Sequence, residues 1–158
     1  MAAPPTGVEA RLQELGFALP TAPAPLATYV PVRITGDIAF VSGQVPMEDG
    51  KLLVAGRLGA DLDLHAGAEA ARRCVLQALA ALKAELGSLD RIRRIVKLSV
   101  FVSSAQGFTD QPKVANGASD LLVEVFGEAG RHARAAVGVS ELPLGAPVEV
   151  ELVAEIEP

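Results

Sequence analysis

Two stretches near the C-terminus decide how this chain folds: His132-Ala-Arg-Ala-Ala-Val-Gly-Val139 and Val148-Glu-Val-Glu-Leu-Val-Ala-Glu-Ile156. The second alternates with a period of two. Val148, Val150, Leu152, Ala154 and Ile156 fall on one side, and Glu149, Glu151, Val153, Glu155 and Glu157 on the other. That is the pattern of a strand with one face against a core. The first stretch splits into His132, Arg134, Ala136 and Gly138 against Ala133, Ala135, Val137 and Val139. The more apolar second set is expected in the core. Arg134 then stands among residues too small to crowd it, on a rigid strand. Two explanations fit: a carboxylate clamp built on the planar guanidinium fork, or an ion pair with Glu149 or Glu151. The pattern alone does not choose between them.

Working outward, Ile92 to Val102 reads as a long β-branched strand. From Asp63 the pattern becomes helical, with Ala71, Cys74, Val75, Ala78, Leu79, Leu82 and Leu86 on one stripe and Gly87 as the stop. A second helix starts near Pro112, carries Val114, Ala118, Leu121, Leu122 and Val125 on one face, and ends at Gly127. Tyr29 to Ile34 and Ile38 to Val41 read as strands around the Thr35-Gly36-Asp37 turn, with Lys51 to Val54 a short third one. Val8 to Gly16 suggests a short amphipathic helix, and Leu19 to Leu26 an extended Pro/Ala connector. The order β-β-β-α-β-α-β-β predicts an α+β fold, one sheet with two helices on one face. Residues 1–28 form the N-terminal helix and connector, and 29–158 the main domain.

Composition narrows the function. Half of the 158 residues are hydrophobic but only 4% are aromatic, with no Trp, so the core is aliphatic. A net charge of -5 counts against polyphosphate and anionic membranes as partners. The single cysteine, Cys74, excludes an intrachain disulfide and sits on the apolar stripe, where packing explains it better than nucleophilic chemistry. No basic-then-apolar leader or membrane-length apolar run is visible, so the expectation is a cytoplasmic protein without membrane partners. His65, His132 and Cys74 are too few and wrongly spaced for zinc, and no metal site is expected. The Arg91, Arg93, Arg94 cluster is expected to be a solvated face.

Arg134-Ala-Ala-Val137, Leu142-Pro-Leu-Gly-Ala146 and Val148-Glu-Val-Glu151 together resemble the closing signature of the RidA/YjgF family. Tyr29-Val30, the Phe40-Val-Ser-Gly-Gln-Val-Pro46 turn, the Val96 to Val102 strand and Asn116 agree with that family in order and spacing. The resemblance spans Tyr29 to Ile156. It implies a chorismate-mutase-like protomer, a homotrimer with clefts between subunits, and hydrolytic deamination of enamines or imines, such as 2-aminoacrylate or imino acids, to 2-keto acids and ammonia. No cofactor is implied. By position, Arg134 would hold the substrate carboxylate with the Ala136 N–H, and Glu149 would activate water. Tyr29 and Gly43 would line the cleft, with Asn116 a further candidate.

Ala135 and Ala136 stand where many members have Ser and Cys, and His132 where many have Pro. With the N-terminal extension and the Asp110 to Arg131 stretch, these departures mark a divergent subgroup. A non-catalytic small-carboxylate-binding or regulatory module on the same trimer is the alternative, and a ribonuclease the third choice.

Overall fold

The computed structural model describes residues 6–24 and 27–158. Met1 to Pro5, and Pro25 and Leu26 at the end of the expected connector, lie outside the described residues. The elements are α1 (Val8–Glu14), β1 (Val32–Thr35), β2 (Ile38–Gln44), β3 (Met47–Glu48), β4 (Lys51–Leu52), α2 (Leu64–Leu86), β5 (Ile92–Ser103), α3 (Gln111–Phe126), β6 (Ala133–Val139) and β7 (Val148–Ile156). Five strands make one sheet in the order β1-β2-β7-β5-β6, antiparallel except for the β5–β6 pair. The short third strand expected near Lys51 does form, as β4. It pairs with β3 in a separate hairpin rather than joining the sheet.

The central strand is β7, and its alternation translates directly into burial. Val148, Val150 and Ala154 have no exposed surface, and Leu152 and Ile156 almost none. Register carries this row across the sheet, with Val41, Leu152 and Leu98 aligned and Val150 opposite Val100. Helices α2 and α3 cover this inner face. Asp63 caps α2, its carboxylate accepting from the Ala66 N–H at 2.8 Å, and Gly87 ends it at φ 84°. Cys74 is fully buried on α2, and burial pushes its thiol well above the ordinary range, consistent with a packing role.

Small residues set the helix spacing. A Cβ on Gly117 of α3 would lie within 3 Å of the Ala68 backbone of α2. The two helices meet through backbone contact there, which only glycine permits. At the N-terminus, α1 docks on the far side of α3. Leu12 is buried in the core, Arg11 Nε donates to the Glu124 carbonyl at 3.0 Å, and the Val8 N–H donates to Asp90 Oδ1 at 2.8 Å.

One expectation about faces is reversed. In the parallel pairing, Leu98, Val100 and Val102 align with Arg134, Ala136 and Gly138. Those β5 residues are fully buried, so Arg134, Ala136 and Gly138 lie on the inner, helix-covered face. Ala133, Ala135 and Val137, expected in the core, are exposed on the outer face, and Val139 of the same set is half-buried. The cause is the close approach of α3. A Cβ on Gly138 would come 2.8 Å from Gln111 Nε2 and 3.1 Å from Ser104 Oγ, so β6 must present small residues inward. Local hydrophobicity misreads an edge strand whose inner side is selected for size.

Gly117→Ala should therefore cost about 1–3 kcal/mol of stability through overpacking at the α2–α3 crossing. Urea unfolding at fixed protein concentration checks this, and a negligible change would show that the helices can separate without loss.

Candidate active site

The candidate residues fall into two groups. The first gathers at the β2 end of the sheet. The pairing of β2 with β7 shifts between Val41 and Gln44, so Ser42 and Gly43 form an irregularity in the ladder. Ser42 Oγ donates to the Val30 carbonyl at 2.6 Å, and its N–H donates to Pro31 O at 2.8 Å. These bonds tie the Tyr29 segment beside Gly43. A Cβ on Gly43 would fall 2.9 Å from Glu149 Cδ and nearer still to Oε1. Glycine at this position gives the Glu149 carboxylate its place. Tyr29, Gly43, Met47, Arg73 and Leu144 line a cavity of about 480 Å³. Leu144 was not singled out in the sequence, yet it is 73% exposed and holds φ 63°, a left-handed conformation uncommon for leucine.

Glu149 lies on the outer face, half-buried, opposite Phe101 in the register. Burial first, and the neighbouring Glu151 carboxylate second, push its carboxyl above the usual range. Arg134 does not offset this, because its guanidinium is on the other side of the sheet. An ion pair of Arg134 with Glu149 or Glu151 within one chain is excluded for the same reason.

The second group surrounds Arg134 at the β6 edge. Nη1 donates to Asn116 Oδ1 at 2.9 Å and to Ser119 Oγ at 3.1 Å, and Nη2 donates to the Pro112 carbonyl at 3.4 Å. All three acceptors come from one face of α3, at spacings of three to four residues. Among the described residues no carboxylate lies within ion-pair distance of Arg134. Ala136, its neighbour on the same face, is half-buried against the core. Sequence reasoning reached Asn116 but missed Ser119, whose only signal was its place one turn beyond Asn116 on the side of α3 away from the apolar stripe. An open cavity of about 520 Å³ adjoins Arg134, touching Ser119, Asp120, Glu124, Arg131 and His132.

The basic cluster is partly paired rather than simply solvated. Arg94 Nε meets Glu155 Oε2 at 2.8 Å, and Arg91 donates to the Leu86 carbonyl at 3.1 Å. Among the described residues no three His, Cys, Asp or Glu side chains gather as metal ligands, and no helix is long and apolar enough to cross a membrane.

A five-stranded sheet with two helices on one face, an edge-strand arginine and a glutamate set against a glycine bulge define a small α+β class. The sequence model described as "YjgF/chorismate mutase-like, putative endoribonuclease" matches residues 9–156. The chain belongs to the RidA/YjgF family. It is 52% identical to Protein TCP17 of Trypanosoma cruzi over 150 residues, covering 94% of each chain. The solved structure of Atu1372 from Agrobacterium tumefaciens is similar at 50% identity and a TM-score of 0.90, over 95% of this chain and 92% of that one. A 2-iminobutanoate/2-iminopropanoate deaminase of Dermatophagoides farinae is 29% identical, over 87% of this chain and 93% of its own.

The raised carboxyl of Glu149 has a consequence for stability. A carboxyl whose folded-state pKa exceeds its unfolded value contributes stability below the unfolded pKa and loses it as pH rises through the folded one. Glu149→Gln should thus melt at a higher temperature than wild type near neutral pH, with the gap closing below pH ~4 where both states hold the proton. Melting curves across that range test the sign.

Proposed function

We propose that this protein hydrolyses reactive imines and enamines derived from amino acids, releasing a 2-keto acid and ammonia. The observation that carries the reading is Arg134. Among the described residues its guanidinium is fixed by neutral acceptors, so its full charge stays available to an anionic ligand.

Within one chain Arg134 and Glu149 occupy opposite faces, so a site using both takes them from two subunits. The outer sheet face supports such assembly. Phe40 pairs with Val153 and Val137 with Phe101 on that face, and Phe40 and Val137 are each nearly half exposed, two apolar spots among charged residues as in mixed interfaces. The proposed assembly is a homotrimer with the outer faces turned inward. Arg134 of one subunit then meets the Tyr29, Gly43 and Glu149 group of the next.

The chemistry asks little of the protein. A protonated imine carbon is already electrophilic. Arg134, with Asn116 behind it and the Ala136 N–H beside it, orients the substrate carboxylate. Glu149 takes a proton from the attacking water as the C–O bond forms and the C=N pair moves onto nitrogen, and the same carboxyl then returns that proton to the nitrogen of the carbinolamine. As the C–N bond breaks and ammonia leaves, the hydroxyl gives its proton back to Glu149 and its oxygen becomes the keto oxygen. A carboxyl raised by burial is better matched to that two-way transfer than an ordinary one. Neither metal nor organic cofactor enters this scheme. The net charge of -5 favours a small-molecule substrate over RNA.

The test supplies a freshly generated imine, made by an amino-acid oxidase, and follows keto-acid and ammonia release. Wild type should accelerate release. Glu149→Gln should lose about a hundredfold or more as the proton-transfer group goes. Arg134→Ala should lose at least about tenfold in kcat/KM, the scale of one charge-assisted pair. If several imines show no acceleration while 2-keto acids still bind beside Arg134, the protein is a binding module instead.

A further inference from the structure

Behind Arg134 the hydrogen bonds continue. Ser119 Oγ, which accepts from Arg134 Nη1, lies 2.9 Å from His132 Nε2, and His132 Nδ1 lies 2.6 Å from the Gly130 carbonyl. The carbonyl can only accept, so Nδ1 carries the hydrogen. In the neutral imidazole Nε2 is then an acceptor, and the Ser119 hydroxyl donates to it. That leaves the hydroxyl lone pairs facing Arg134. Each donor in the line finds one acceptor: Arg134 to Ser119, Ser119 to His132, His132 to Gly130.

The far end of this chain is rigid. Gly130 is buried, and a Cβ there would come within 3.0 Å of the backbone of Leu122 and Val123 on α3. The near end is spent on one side only. Both Nη1 hydrogens are engaged by Asn116 and Ser119, and one Nη2 hydrogen by Pro112. The Nε–H and the second Nη2 hydrogen have no acceptor among the described residues, and the 520 Å³ cavity lies beside the guanidinium. Asp120, Glu124 and Arg131 face the same cavity, but neither acid forms an ion pair with Arg134.

We propose that Ser119 and His132 are positioning residues that hold the Arg134 guanidinium with its unpaired N–H groups presented to a 2-oxo or 2-imino carboxylate. The inference rests on the reading of Arg134 as the carboxylate clamp and assigns it a support. Arginine loses much rotamer freedom when fixed, and a support formed on folding takes that loss before the ligand arrives. Neither Ser119 nor His132 touches the reacting atoms, so their effect belongs to binding rather than to the chemical step.

Calorimetric titration of the purified full-length protein with pyruvate and 2-oxobutanoate tests this, alongside steady-state kinetics on the matching imines. Ser119→Ala and His132→Phe should each weaken keto-acid binding and raise KM about five- to thirtyfold, with kcat within about twofold, as expected for one or two lost hydrogen bonds in a binding step. His132→Gln, whose Oε1 can accept from Ser119 in place of Nε2, and Ser119→Thr, which keeps the hydroxyl, should recover most of the affinity. These conservative variants separate positioning from misfolding. The proposal is overturned if Ser119→Ala and His132→Phe bind like wild type while Arg134→Ala does not. It also falls if His132→Gln binds no better than His132→Phe, or if kcat drops with KM unchanged. Failure of wild type itself to bind either acid would defeat the clamp reading, and this inference with it.

Discussion

The packing of β7 between β2 and β5 sets the geometry of everything else. Its inner row carries almost no exposed surface, and that row can be dry only if α2 and α3 lie across it. Hydrophobic burial therefore fixes which way the strand faces, and a slip of one residue would drive glutamates into the core. Once the face is fixed, Glu149 must stand on the outer side. Its height along the sheet follows from the register with Phe101. The Glu149 carboxyl is thus placed by the same force that closes the core, without a dedicated scaffold.

The two halves of the proposed site use different means of support. Glu149 is held by shape: Gly43 removes a side chain where the carboxylate lies, and the irregularity in β2 brings the backbone there. Arg134 is held by hydrogen bonds to α3, a helix brought close to β6 by Gly138 and close to α2 by Gly117. Glycine acts in all three places through missing volume rather than through unusual dihedral angles.

Much of this was legible beforehand. The alternation of β7, the helical stripe ending at Gly87 and the ordered motifs from Tyr29 to Glu151 carried the fold class and the family. The face of β6 was not legible, because Ala133, Ala135, Val137 and Val139 are the more apolar set and yet lie outward. Edge strands escape the hydrophobic rule when a helix selects for small residues beneath it or when the outer side awaits another chain. The separation of β3–β4 from the sheet was hidden because short strands carry no partner information. Ser119 and His132 were hidden as a unit, since 13 residues and a turn separate two side chains that meet at 2.9 Å.

The contact between Gly43 and Glu149 also constrains how this chain can drift over generations. A methyl at position 43 collides with the acid, and a shorter acid at 149 leaves the bulge facing a void. The two positions therefore form one heritable unit. A lineage that abandons the glutamate frees position 43 to vary, so side chains found there in diverged descendants would record whether the acid was still present.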